Sequence, residues 1–268
     1  MKKALKNWFL NSGSSYDSDA QAFFTAAGIS DATQKTAVNT LVLAIKAASL
    51  WTGMKAIYPM VGGTGTTHKY NLKDPRDLDA AFRLNFQGGW THSSNGALPN
   101  GTSGYADTFF VPSVQFSSNV GSLGYYSRTS TASDGYELGC SNGGDVPFTG
   151  IIARLTLDKY FPLLGSSSYT PLVTSTDGRG FFVATRMSGF NRNVGYKNGS
   201  QVGTADEAYL ATSVSMYLGC SNLNGVATYF GNKQCAFAFI AAANLDATNN
   251  SDLYTAVQAF NTTLSRQV

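Results

Sequence analysis

Residues 136–145 read YELGCSNGGD, and inside them Gly139-Cys140-Ser141-Asn142-Gly143 matches the G-x-S-x-G pattern that sets a serine nucleophile on a strand-to-helix turn. The match fails on context. A nucleophile elbow needs a helix straight after the serine and a histidine later in the chain. Here GGDVPFTG leads through turn residues into another strand, and both histidines, His68 and His92, come earlier. A second copy of Leu-Gly-Cys-Ser-Asn lies in MYLGCSNLNG (216–225), where Leu223 breaks the pattern. One structural device used twice covers both copies: an apolar strand ends in Leu, Gly lets the backbone turn, Cys packs inward, and Ser-Asn opens a turn by bonding its own backbone.

Hairpin signals surround this stretch on both sides. Five Asn-Gly pairs, beginning at Asn95, Asn100, Asn142, Asn198 and Asn224, and two Asp-Gly pairs, at Asp134 and Asp177, supply the turn residues of tight hairpins. The runs between them predict strands over Leu78 to Phe86, Tyr105 to Val111, Gly121 to Arg128, Tyr136 to Cys140, Phe148 to Leu157, Gly180 to Met187, Val194 to Lys197, Tyr209 to Leu218 and Cys235 to Ile240. MKAIYPMVG, from Met54, is a further strand, placed near a sheet edge by Pro59. Strands at this spacing without intervening helices imply an antiparallel sandwich.

Helical periodicity is confined to the two ends. Asp17 or Ser18 caps a short helix from Ala20 to Ala27 that Gly28 closes, and Ser30 or Asp31 caps a second whose stripe is Val38, Leu41, Val42, Ile45 and Ala48. Such a pair must bury its stripe, and packing on the edge or face of the following sheet does so. Ser251 to Leu264 repeats the pattern with Leu253, Tyr254, Val257, Phe260 and Leu264, capped by Asn250 or Ser251. The predicted organisation is an N-terminal arm (1–16), a helical attachment segment (17–53) and a β-sandwich (54–268). Before it, MKKALKNWFL begins like a signal peptide, but Lys6 interrupts the apolar run and no cleavage site follows.

The 268 residues carry a net charge of +3 with 13% charged side chains, so no basic surface follows a phosphate backbone and nucleic acid is not an expected partner. Leu41 to Trp51, broken by Lys46, falls far short of the roughly 20 residues that span a bilayer, so no membrane insertion is expected. Cys140, Cys220 and Cys235 are odd in number and unpaired in spacing, and read as buried apolar residues. With two histidines and no calcium-loop spacing, neither a metal nor a cofactor is expected.

The segment FFVATRMSGFNRNVGYKNGSQVG (181–203), with SMYLGCSNLNG and the closing QCAFAFIAAANLDATNNSDLYTAVQAFNTTL, resembles concanavalin A-like and laminin G-like jelly-roll sandwiches. A narrower similarity, in DAQAFFTAAGISDATQKTAVNTLVLAIKAASLWTGMKAIYPMVGG, NLKDPRDLDAAFRLNFQGGWTHSSNGALPNGTSGYADT and AVQAFNTTLSRQV, is to structural proteins of tailed bacteriophages. The resemblance implies a mainly β, concanavalin A-like antiparallel sandwich and a non-enzymatic virion component of fibre, head-fibre or decoration type. It would assemble in the host cytoplasm as a homo-oligomer, such as a trimer, contacting other virion proteins and host-surface polysaccharide.

Two alternatives stand beside that reading: a carbohydrate-active enzyme on the same fold, and a cellular laminin G-like adhesion module. A glycosidase needs a positioned pair of carboxyl groups. The chain has two glutamates, Glu137 and Glu207, neither with an acidic neighbour two residues away, and its aspartates fall mostly in turns and helix starts. Sugar binding asks only for an aromatic ring beside amides or hydroxyls. Trp90, His92, Asn95 and Tyr105, in or beside the long glycine-rich stretch QGGWTHSSNGALPNGTSG (87–104), are the first candidates, followed by Tyr125, Tyr126 and Arg128.

Overall fold

The computed structural model describes residues 16–116, 120–143, 147–168, 173–187, 189 and 191–268, so the arm expected at 1–16 lies outside the described residues except for Tyr16. The chain opens with α1 (Ser18–Ala27) and α2 (Ala32–Ala47), then β1 (Met54–Tyr58) and a short turn of helix, α3 (Gly65–His68). Next come β2 (Asn85–Gln87), β3 (Trp90–Ser93), β4 (Gly96–Pro99), β5 (Tyr105–Asp107), α4 (Pro112–Gln115), β6 (Gly121–Ser127), β7 (Leu138–Ser141), β8 (Phe148–Ile152) and β9 (Lys159–Ser166). After β10 (Val173–Thr174) follow β11 (Gly180–Met187), β12 (Arg192–Lys197), β13 (Ser200–Asp206), β14 (Tyr217–Leu218), β15 (Ser221–Leu223), β16 (Val226–Thr228), β17 (Cys235–Ala241) and α5 (Ala247–Thr263).

Two sheets stack as a β-sandwich. The first runs β13-β12-β11-β6-β17-β4-β3, with β1 also on β17; the second runs β10-β9-β8-β7-β14-β5-β2, with the β15–β16 hairpin attached to β7. Among the named strands pairing is antiparallel except between β15 and β7, and an isolated bridge from Tyr136 to Phe230 is also parallel. The inward face of both sheets forms one core containing Tyr58, Phe110, Leu123, Tyr125, Leu138, Cys140, Ile151, Tyr160, Phe182, Cys235 and Ile240. On the other face of the first sheet, α1, α2 and α5 bury Phe24, Val38, Leu41, Ile45, Val257 and Phe260 against Phe181, Val183, Phe237 and Phe239. Each such side chain contributes about 1.5–3 kcal/mol, which offsets the marginal stability of a lone helix of this length. With both faces covered, β6, β11 and β17 read as nearly unbroken buried runs, not as an in-out alternation.

The end signals fold as their chemistry dictates. Asp17 accepts from Asp19 N, Asp31 from Gln34 N, and Gly28 closes α1 in the left-handed region. Asn198-Gly199 and Asn224-Gly225 both have positive φ and close two-residue hairpins. The last helix begins earlier than Ser251, because Asp246 and Asn249 form a reciprocal capping box.

Four expected strands shrink or dissolve, among them Tyr105 to Val111, of which only Tyr105–Asp107 is a strand. Over 78–86 only Asn85–Gln87 pairs; before it Arg83 bonds Asp77 and Asp79 around a 3-10 turn at Asp79–Ala81, so local ion pairs replace a sheet ladder. Over 209–218 only Tyr217–Leu218 is a strand, and the strand from Phe148 ends at Ile152. Conversely, the glycine-rich stretch between Phe86 and Tyr105, over which no strand is predicted, contains the β3–β4 hairpin, with Ser93 opposite Gly96.

The doubled motif is a single contact. Leu218 lies opposite Leu138, the chain reverses through Gly219 (φ 85°), and Asn222 returns opposite Cys140, so the two copies lie against each other along β7. Gly219 N donates to Glu137 O at 2.9 Å. Cys140 and Cys220 are buried, as expected, and burial pushes both thiols up to about 12.

Candidate functional site

Strand register assembles a polar, aromatic face on the outside of the second sheet. Ala106 and Leu218 point into the core, so their neighbours Tyr105, Asp107 and Tyr217 point outward. Across the next pair, Asn85 lies opposite Asp107 and Gln87 opposite Tyr105. The rings of Tyr105 and Tyr217 stack at 4.8 Å between centroids with 25° between planes. Asn85 and Gln87 are exposed and joined by a 3.1 Å bond from Gln87 Nε2 to Asn85 Oδ1.

This face is held from behind. Trp90 Nε1 donates to Gln87 O and Tyr105 O, both at 3.1 Å, and so clips β2 to β5. Asn100 Oδ1 accepts from Thr102, Ser103 and Gly104 N–H groups and knots the loop that delivers Tyr105. Gly219 leaves room for the Trp90 ring, which a Cβ there would meet at 3.0 Å.

Asp107 is the chemically distinctive group. Its Oδ1 accepts from Phe109 N at 2.8 Å, and partial burial holds its carboxyl above the usual range, with the charge of Asp79 adding to the rise. The clearly shifted aspartates elsewhere among the described residues move the other way, as Asp177 does beside Arg179. Burial, and next Asp107, also raise the Tyr217 phenol.

The candidates named from sequence divide. Tyr105 belongs to the face and Trp90 supports it. His92 sits beneath it, stacked on Trp90 at 6.0 Å and bonded through Nδ1 to His68 Nδ1 at 2.9 Å. Asn95 is exposed at the tip of the β3–β4 hairpin. Tyr125 and Tyr126 are corrections. Tyr125 is buried in the core with its hydroxyl on Lys233 O, and Tyr126, with 0% exposure, lies under α5 and bonds Gln258. Arg128 spends its guanidinium on Arg266 O and Gln234 Oε1. Asn85, Gln87, Asp107 and Tyr217 were not among the candidates: three of them lie in predicted strands, but which strands pair, and so which side chains share a face, depends on register between segments distant in the chain.

Among the described residues no three His, Cys, Asp or Glu side chains converge as a metal site, and no helix is long and apolar enough to cross a membrane. A recess of about 230 Å3 beside Arg266 and Ser94, and another of about 430 Å3 between α2 and α5, lie away from the tyrosine face.

No protein-family model matches the chain, and no curated protein matches it. Solved structures do. The Trypanosoma rangeli sialidase in complex with sialic acid aligns with a TM-score of 0.55 at 14% identity, over 81% of this chain and 38% of that one. A mutant of the same sialidase displaying trans-sialidase activity gives 0.52 at 14% identity, over 83% and 39%. The Trypanosoma rangeli sialidase in complex with 2,3-difluorosialic acid, a covalent intermediate, gives 0.52 at 13%, over 82% and 38%. The chain therefore spans less than two-fifths of the length of these sialidases, and the likeness establishes the fold.

These comparisons correct the functional expectation. The fold neighbours are sialidases, which are glycoside hydrolases, and none of the comparisons supports a phage origin. The expectation of a non-enzymatic virion component is withdrawn on these neighbours, whose likeness to this chain is one of fold.

Proposed function

We propose that this chain acts on carbohydrate, as the sugar-holding sandwich of a glycoside-hydrolysing protein. The observation that carries the reading is the register that brings Tyr105, Tyr217, Asp107, Asn85 and Gln87 onto one outward face. Stacked tyrosines offer apolar ring surface to the C–H face of a pyranose, while the amides and the carboxyl bond its hydroxyls. Asp107, which makes no ion pair among the described residues, offers its carboxylate as an acceptor for sugar hydroxyls. The fold shared with sialidases supports the same assignment.

The test is a glycan-array screen of the purified protein, paired with hydrolysis assays on fluorogenic glycosides. Tyr217→Ala is expected to weaken binding by about tenfold, the loss of one aromatic contact, with little change in the melting midpoint. A protein that neither retains nor cleaves any glycan, or a Tyr217→Ala variant that behaves as the parent does, overturns the reading.

A further inference from the structure

The charges around the tyrosine face are arranged against an anionic ligand. Asp107 stands in register between Asn85 and Tyr217, and among the described residues it makes no ion pair. Its carboxyl accepts from Phe109 N and is bonded by Ser215, both uncharged groups. The further charge that acts on it is that of Asp79, also negative. The cations of this corner are already committed: Lys69 to Asp77 at 2.5 Å, and Arg83 to Asp77 at 3.0 Å and Asp79 at 2.8 Å. Among the described residues of this corner, three carboxylates, Asp77, Asp79 and Asp107, thus stand against two cations that are already paired.

We infer that the face selects neutral pyranose sugars and rejects sugars bearing a carboxylate, with Asp107 as the specificity-determining residue. This rests on the reading of the face as a sugar site. A hydroxyl donates to the Asp107 carboxylate in a charge-assisted bond, which neutral sugars offer in abundance. A sialic or uronic acid would bring a second negative charge to a half-buried one whose described neighbouring cations, Lys69 and Arg83, are already paired, and like charges in a partly desolvated site disfavour each other. Sharing a fold with a sialidase thus does not extend to sharing its acidic sugar.

The experiment uses an immobilised panel of galactose-, glucose- and N-acetylglucosamine-terminated oligosaccharides, each beside a counterpart ending in sialic or uronic acid, read at low and at high salt. The parent protein should retain neutral members and bind acidic counterparts at least tenfold more weakly at low salt, with the gap narrowing in high salt. Asp107→Asn keeps the acceptor for Phe109 N and should narrow the gap at low salt. Acidic sugars bound as well as neutral ones, or a gap unchanged in Asp107→Asn, overturns the specificity while leaving the sugar face standing. Retention of no sugar at all, or binding that Tyr217→Ala leaves untouched, removes the face itself and the specificity with it.

Discussion

Lys233 Nζ lies 2.9 Å from Glu137 Oε1, with the two side chains 0% and 1% exposed. The contact is Coulombic, without hydrogen-bond geometry. The directed bonds go elsewhere: Lys233 Nζ donates to Ser133 Oγ at 2.8 Å, and Ala153 N donates to Glu137 Oε2 at 2.6 Å. Glu137 precedes β7 and Lys233 precedes β17, so the pair ties one sheet to the other at the end of the core.

Lys233→Met leaves a carboxylate buried without its cation and is expected to cost about 3–5 kcal/mol of stability, measured by denaturant unfolding. The double variant Lys233→Met with Glu137→Leu removes both charges and should recover much of that loss. A double variant as unstable as the single one would show that packing, not the stranded charge, sets the cost.

The carboxyl-terminal tail is fastened by a second buried cation. Arg266, 0% exposed, donates to Pro59 O, Met60 O and Ala236 O and to Asn261 Oδ1, and burial pulls its guanidinium down to about 9. Beside it Tyr126 and Arg128 hold Val268 and Arg266 by backbone bonds. Arg266→Met strands several buried carbonyls and should cost about 3 kcal/mol or more. Tyr126→Phe should cost about 1 kcal/mol and leave sugar binding unchanged, which separates its bracing role from a ligand contact.

His68 gives the fold a built-in acid sensitivity. Burial, then His92 and Arg266, pull its imidazole down to about 3, and its Nε2 is buried without a hydrogen-bond partner. Between about pH 6.5 and pH 3 the unfolded chain therefore binds a proton there that the folded chain refuses. Stability from this group is complete above about pH 6.5 and is lost as pH falls through that window. His92, whose imidazole burial also lowers, adds in the same direction. The melting midpoint of the parent should fall across this range more steeply than that of His68→Phe; parallel curves would refute the assignment.

The helix caps Asp17 and Asp31, the Gly28 stop, the Asn198-Gly199 and Asn224-Gly225 turns, and the strand from Gly180 to Met187 were all legible in the chain because each rests on neighbouring residues. Local chemistry of that kind needs no partner: a capping carboxylate or a left-handed glycine acts within four residues. The β3–β4 hairpin was signalled by Asn95-Gly96 but masked by the polar composition around it.

What the sequence by itself determined is a hairpin-rich sandwich with helices at its ends, since period, caps and turns are properties of short segments. Only the tertiary structure decided which aromatic residues meet solvent. Tyr105 and Tyr126 are alike in isolation, yet one stacks on Tyr217 outside the second sheet and the other lies beneath α5. Alternation assigns side chains to two faces without saying which face another layer will cover, and the register joining β2, β5 and β14 comes from strands distant in the chain.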